Sequence, residues 1–189
     1  MCVEGIGSPL KNVENVEPME ESTRIRIGGI KFSEELAHVT VVSPSREEAS
    51  FDDLLQLLSS RHINLPFLCH SHKESHTKSS FCISRDDLGR VQEALHFASY
   101  NHGNVRIIPS VGTLTLFPHR NSFRLLGLVL MTFAENDYPI HSLSTSISAI
   151  ALNTDFRHLD NIADKLAEVV ILPENHAPFR QEFRLTQLF

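Results

Sequence analysis

The sequence predicts an α+β chain made of two βαββαβ units in tandem, each an antiparallel sheet with both of its helices on one face. Three observations carry this prediction. Apolar residues recur with the helical period in four separate segments, β-branched and alternating runs lie between them, and the same order of elements occurs twice at an offset of about 75 residues. A length of 189 residues leaves room for one domain or two small ones and excludes a large multidomain enzyme. The 41% hydrophobic and 21% charged content belongs to a globular chain, neither disordered nor buried in a membrane.

Residues 1–23 read as a loose arm, because Glu14, Glu17, Glu20 and Glu21 combine with Pro9 and Pro18 and no period is sustained. From Arg24 onward Ile25, Ile27, Ile30 and Phe32 form a strand interrupted at Gly28-Gly29, and His38-Val-Thr-Val-Val42 is a second, β-branched strand. A loop over 43–48 precedes a helix on which Phe51, Leu54, Leu55 and Leu58 fall at i, i+3, i+4 and i+7. Ser50 and Asp53 make a capping-box-like start for it. Residues 63–72 read as extended despite Pro66, a polar turn follows at 73–76, and 78–83 is a further strand. Ser84 starts a helix with Leu88, Val91, Leu95 and Ala98 on one face, and 105–108 closes the unit as a strand.

The order then repeats. Strand 114–117 leads through a loop to Ser122, the cap of a helix over 123–135 that is apolar nearly all round and therefore calls for burial on more than one side. Strands at 140–145 and 148–152 precede a helix capped by Thr154 or Asp155, with Phe156, Leu159, Ile162, Ala163 and Leu166 on its apolar face. Residues 169–172 form the closing strand. The predicted organisation is an arm at 1–23, a first unit with its preceding strand at 24–110, a second unit at 111–173, and a tail at 174–189. The tail carries Phe179, Phe183, Leu185, Leu188 and Phe189, enough apolar surface to dock on a sheet or on a partner. Sheets this small have open edges, so pairing with a second copy is expected, with a homodimer as the simplest form.

Charge and chemistry narrow the function. Seventeen basic against twenty-three acidic residues give a net charge of -6, and the basic residues are scattered, which excludes a nucleic-acid partner. The longest apolar stretch, Leu125 to Ala134, lies between Arg124 and Glu135 and is far short of the roughly 20 residues that span a bilayer. The first residues lack the basic start and apolar run of a signal peptide, and three cysteines suit a reducing compartment. A soluble, cytoplasmic protein without a membrane partner is expected.

Among the eleven histidines, Cys69-His-Ser-His72 with His76 and Cys82 is the one group with metal-ligand chemistry. His70 and His72 would project from one side of a strand and Cys69 from the other, toward the core. Without zinc-finger spacing this reads as a polar hairpin tip between two buried cysteines, and no metal or cofactor is predicted. Neither a Gly-rich phosphate loop nor a Gly-x-Ser-x-Gly elbow occurs, and Asp52, Asp53, Asp86, Asp87 and Asp155 lie at helix starts, where acids stabilise the dipole. No catalytic residue is assigned.

Two short units in the ferredoxin-like βαββαβ order resemble tandem ACT domains, and in detail the chain resembles the regulatory half of aspartokinases. The resemblance runs from Ile25 to Leu172. It rests on Ile25-Arg-Ile-Gly-Gly-Ile30 ahead of the first unit, on the turn and strand His62-Ile-Asn-Leu-Pro-Phe-Leu-Cys-His-Ser71, and on Leu143-Ser-Thr-Ser146 followed by Ile147-Ser-Ala-Ile-Ala-Leu152. It implies a non-catalytic regulatory protein that binds an amino acid or similar small metabolite at the seam between units. Its closest version is a stand-alone regulatory subunit with a separate catalytic kinase chain as partner. The effector-binding residues it implies are Ser43, Ser45, Arg46 and Ser50 in the first loop, Asn64 and His70 on the next strand, and Ser122, Ser144 and Thr145 in the second unit. The family's Asp-x-Pro-Gly loop is replaced by Arg46-Glu-Glu-Ala49 in the first unit and by Phe123-Arg124 in the second. The alternative is therefore a structural interaction module with degenerate effector sites.

Overall fold

The computed structural model describes residues 24–44, 51–72, 76–97, 104–118 and 122–175. In chain order the elements are β1 (Ile25–Arg26), β2 (Gly29–Phe32), β3 (Leu36–Pro44), α1 (Phe51–Ser60), β4 (Phe67–His72), β5 (His76–Ser84), α2 (Leu88–Phe97), β6 (Val105–Phe117), α3 (Phe123–Glu135), β7 (Ser142–Thr145), β8 (Ile150–Asp155), α4 (Leu159–Val169) and β9 (Val170–Ile171). Single 3-10 turns at Arg85–Asp87 and Phe156–His158 lead into α2 and α4. The predicted N-terminal arm and most of the predicted C-terminal tail lie outside the described residues.

Seven strands form one sheet in the order β4-β5-β3-β6-β8-β7, with β2 also paired to β6. The thirteen-residue β6 organises it. Its first half pairs antiparallel with β3, from Val41↔Val105 to His38↔Ile108. Its second half pairs with β8, from Val111↔Asp155 to Leu116↔Ile150, and on the other side with β2, from Gly29↔Phe117 to Phe32↔Leu114. The two predicted strands at 105–108 and 114–117 are thus one. Pro109 is tolerated inside it because the register shifts there: Leu36 faces Val111 and His38 faces Ile108, so Pro109 and Ser110 together stand opposite Ala37. A bulge is a position where a missing N–H costs no ladder bond.

Two further pairings differ from the sequence reading. The strand expected to precede the first unit, β2, lies against the second half of β6, from Phe32↔Leu114 to Gly29↔Phe117. The expected closing strand is the two-residue β9, which pairs in parallel with β1 (Ile25↔Val170) instead of joining the large sheet. The switch between these partners occurs at Gly28, whose N–H donates to Phe117 O at 2.7 Å. A Cβ on Gly28 would lie 2.6 Å from Pro118 Cδ and 3.0 Å from Phe117 O, so the crossing requires a residue without a side chain.

The predicted apolar helix faces are the buried ones. Leu54 and Leu58 of α1 and Val91, Ala94 and Leu95 of α2 close over Val39, Val41, Phe81 and Ile83. Leu125, Val129 and Phe133 of α3 and Leu159, Ile162, Ala163 and Leu166 of α4 close over Ile30, Leu114, Leu116, Ile150 and Leu152. Gly112 allows the second contact, because a side chain there would run into Leu159 and Phe156. The outer side of α3 leaves Phe123 and Met131 exposed, 87% and 55%, so in the single chain this helix is buried on one side only.

Capping differs in detail from the prediction. Ser122 caps α3 by accepting from the Leu125 N–H at 3.1 Å, and Ser84 accepts from Asp86 N–H at 3.4 Å at the 3-10 turn ahead of α2. Neither Thr154 nor Asp155 caps α4. Asp155 precedes the 3-10 turn and makes no side-chain cap bond, its carboxylate being taken by His141 at 2.8 Å.

Candidate functional site

Of the residues implied by the resemblance, His70 lies on one edge strand of the sheet and Ser144 and Thr145 on the other. Ser45, Arg46 and Ser50 lie outside the described residues. Ser43 is the penultimate residue of β3, and its carbonyl accepts from Thr77 Oγ1 at 3.4 Å. His70 sits on the edge strand β4, where its ring stacks on Phe51, centroids 4.9 Å apart and planes 15° from parallel, and its Nδ1 is 2.8 Å from Ser79 Oγ. The second strand of the first unit and the start of α1 therefore meet. Asn64, expected on this strand, is exposed in the turn between α1 and β4. Ser122 is occupied as a helix cap, and Ser144 and Thr145 lie on β7, the opposite edge.

Cys69, expected toward the core, is exposed, because the sheet face it occupies at this edge carries no helix; Cys82 is buried. Burial pushes the Cys82 thiol up to about 12, which leaves it protonated and unreactive. Among the described residues no three His, Cys, Asp or Glu side chains come together as a metal cage. None of their helices is long and apolar enough to cross a membrane.

A cleft of about 520 Å³ lies between these edges on the helix-free face. Its floor is His38 and Thr40 of β3, Lys78 of β5, and Arg106 and Ile108 of β6; its wall is Pro139 to His141, ahead of β7. Strand alternation explains the floor. Ala37, Val39 and Val41 go to the helices, so His38 and Thr40 face the other way, and register brings Cys82 and Ile108 beside His38.

His38 is only 2% exposed. It ends a hydrogen-bonded chain that joins β6, β8 and β7 to β3. Thr113 Oγ1 donates to Asn153 Oδ1 at 2.5 Å, Asn153 Nδ2 donates to Ser142 Oγ at 2.7 Å, and Ser142 Oγ lies 3.1 Å from His38 Nε2. The Ser142 hydroxyl thus bonds both the Asn153 amide and the His38 imidazole and couples the two. Burial, followed by the neighbouring His141, Lys78 and Arg106, holds the His38 imidazole down to about 4, so it is neutral at physiological pH.

Sequence reasoning overlooked this cleft. One signal was present: His38 and Thr40 are polar positions alternating with Ala37, Val39 and Val41 in a strand. Nothing local tied them to Lys78, Arg106 or His141.

No protein-family model matches the chain, and no curated protein matches it in sequence. Solved structures do match. The ligand-free regulatory subunit of aspartate kinase from Thermus thermophilus superposes with a TM-score of 0.65 at 13% identity, covering 76% of this chain and 97% of that one. A structure of aspartokinase alpha and beta subunits gives 0.66 at 18% identity, with coverage of 76% and 97%. The chain has the aspartate kinase regulatory fold. In the aspartate kinase from Synechocystis (TM-score 0.66, 16% identity) the same fold covers 82% of this chain and 28% of that one. The mixed architecture, an antiparallel sheet with four helices, is thus that of regulatory subunits and regulatory regions of these kinases.

Proposed function

We propose that this is a non-catalytic regulatory protein that binds an amino acid, or a metabolite of similar chemistry, between ACT-type units of a homodimer. The observation that carries the reading is the likeness to a free-standing regulatory subunit, which spans nearly all of that subunit. The chain then consists of two ferredoxin-like units sharing β6. One has the strand order β4-β5-β3-β6, and the other, completed by β2, has β2-β6-β8-β7. This division moves β2 from the first unit, where the sequence placed it, to the second.

The amino acid is held by the start of α1 and strand β4 of one unit, near Phe51 and His70, and by the region of Ser122, Ser144 and Thr145 of the other. Since β4 and β7 are opposite ends of one sheet, a second copy is what brings the two sets together. Binding favours one relative arrangement of the units, which a catalytic kinase chain senses as population shift. The solved alpha and beta subunit pair of an aspartokinase supports a partner of that kind. Few cysteines, with Cys69 and Cys82 free, fit a cytoplasmic setting.

A thermal-shift series with the twenty amino acids tests the reading. Ligand at about 100 times Kd stabilises the native state by about 2.7 kcal/mol. A selective shift that is lost in His70→Ala supports it, and sedimentation shows whether the binding species is a dimer. Flat titrations with all twenty favour the second reading, a structural interaction module. That alternative draws support from the Ser122 hydroxyl, already engaged by Leu125, and from a first loop without glycine at Arg46-Glu-Glu-Ala49.

A further inference from the structure

We propose that the cleft beside His38 is a second ligand site, separate from the sheet edges, which binds a small anionic metabolite through a carboxylate or phosphate group held by Arg106 and Lys78. Among the described residues the lining carries two permanent cations and two imidazoles and no Asp or Glu. This is unexpected in a chain of net charge -6. Among the described residues neither Lys78 nor Arg106 has an ion-pair partner. The nearby carboxylate, Asp155, is already engaged by His141 at 2.8 Å and by Arg157 and His158.

Two cations that face a common space repel each other, and both act on the buried His38. An anion between them removes that repulsion, and the Arg106 guanidinium presents a planar fork suited to two oxygens of one carboxylate or phosphate. Thr40 and Asn104 add neutral polar groups to the lining. The volume, about 520 Å³, is in the range of small-molecule sites. Because the floor comes from β3, β5 and β6 while the wall precedes β7, a ligand here contacts both halves of the chain.

The test is calorimetric titration of the whole chain with inorganic phosphate and with succinate at neutral pH, against sodium chloride of matched ionic strength. Binding of either probe beyond the chloride control is expected. Arg106→Gln and Lys78→Gln should each weaken it about tenfold or more, and Arg106→Lys, which keeps the charge without the fork, should weaken it less. Phosphate alone, succinate alone or both would each support the site and assign the head group. No binding beyond chloride, or binding that survives both Gln variants with unchanged circular dichroism and Tm, would overturn it. The amino-acid titration described above is read independently, so either proposal can fail without the other.

Discussion

The two halves of β6 carry the same backbone but different tasks. From Leu114 to Leu116 the strand is paired on both sides, by β2 and β8; Leu114 and Leu116 are fully buried under α3 and α4, and on the opposite face Thr113 is bonded to Asn153. From Val105 to Ile108 its ladder partner is β3. There Val105 and Ile107 join the core under α1 and α2, while on the other face Ile108 packs against Leu36, Phe67, Cys82 and Val111 and, with Arg106, lines the cleft. A bulge at Pro109 and Ser110 separates the two regimes. One half is committed to stability on both of its faces, whereas the other keeps one face for charge and ligand chemistry.

The largest expected effect tests the stabilising half. Leu152 is fully buried and pairs with Leu114, so Leu152→Ala should cost about 2 to 5 kcal/mol by lost transfer energy plus a cavity, measured by urea unfolding. A loss below about 1 kcal/mol would mean that α3 and α4 collapse readily onto the gap, and the two halves would then differ less than their packing implies.

His38, at the border of the two regimes, gives the next effect and a sign. Its folded value is about 4 against an ordinary 6.5. Between those values the unfolded chain binds the proton and the folded chain does not, so stability falls as pH drops from about 6.5 to about 4, by at most about 3 kcal/mol. Below that window His38 contributes no further slope. Burial sets most of this balance, followed by His141 ahead of β7, Lys78 on β5 and Arg106 on β6. In His38→Asn the acid slope of Tm over this window should flatten. An unchanged slope would show that other groups titrate there.

How much of this was legible in the sequence follows from the range of each interaction. All four helices were readable because their faces repeat within one or two turns: Leu54 with Leu58, Val91 with Leu95, Leu125 with Val129 and Phe133, Leu159 with Ile162 and Leu166. The continuity of β6 was hidden, since Pro109 and Gly112 read locally as breaks. One is accommodated by a bulge, and the other is needed so that Leu159 can approach. The partner of β2 was also hidden, because pairing Ile30 with Leu116 depends on a register set far along the chain. Of the implied effector residues, His70 was legible as a residue of the strand after α1, whereas its stacking on Phe51 was not. The cleft was not, because His38, Lys78, Arg106 and His141 belong to four segments that only the assembled sheet face unites.

A smaller effect tests the bonded chain between the halves. Asn153 is fully buried and links Thr113 to Ser142. Asn153→Ala leaves both hydroxyls short of a partner and should cost about 1 to 3 kcal/mol. It should also free Ser142 to reorient, so the His38 ring resonances should move by NMR. If stability falls while His38 is unaffected, Asn153 acts only as local packing and the chain does not reach the cleft.

The smallest expected effect on stability belongs to the cleft itself. Arg106 is exposed and without an ion-pair partner among the described residues, so Arg106→Gln should change stability by no more than about 0.5 kcal/mol. The same substitution removes one of the cations that hold His38 down, and the His38 titration followed by NMR should therefore move upward. A near-silent stability with a displaced histidine is the signature of a residue kept for its field and not for its packing. A clear loss of stability instead would mean that Arg106 supports the sheet, and the two halves of β6 would then both be structural.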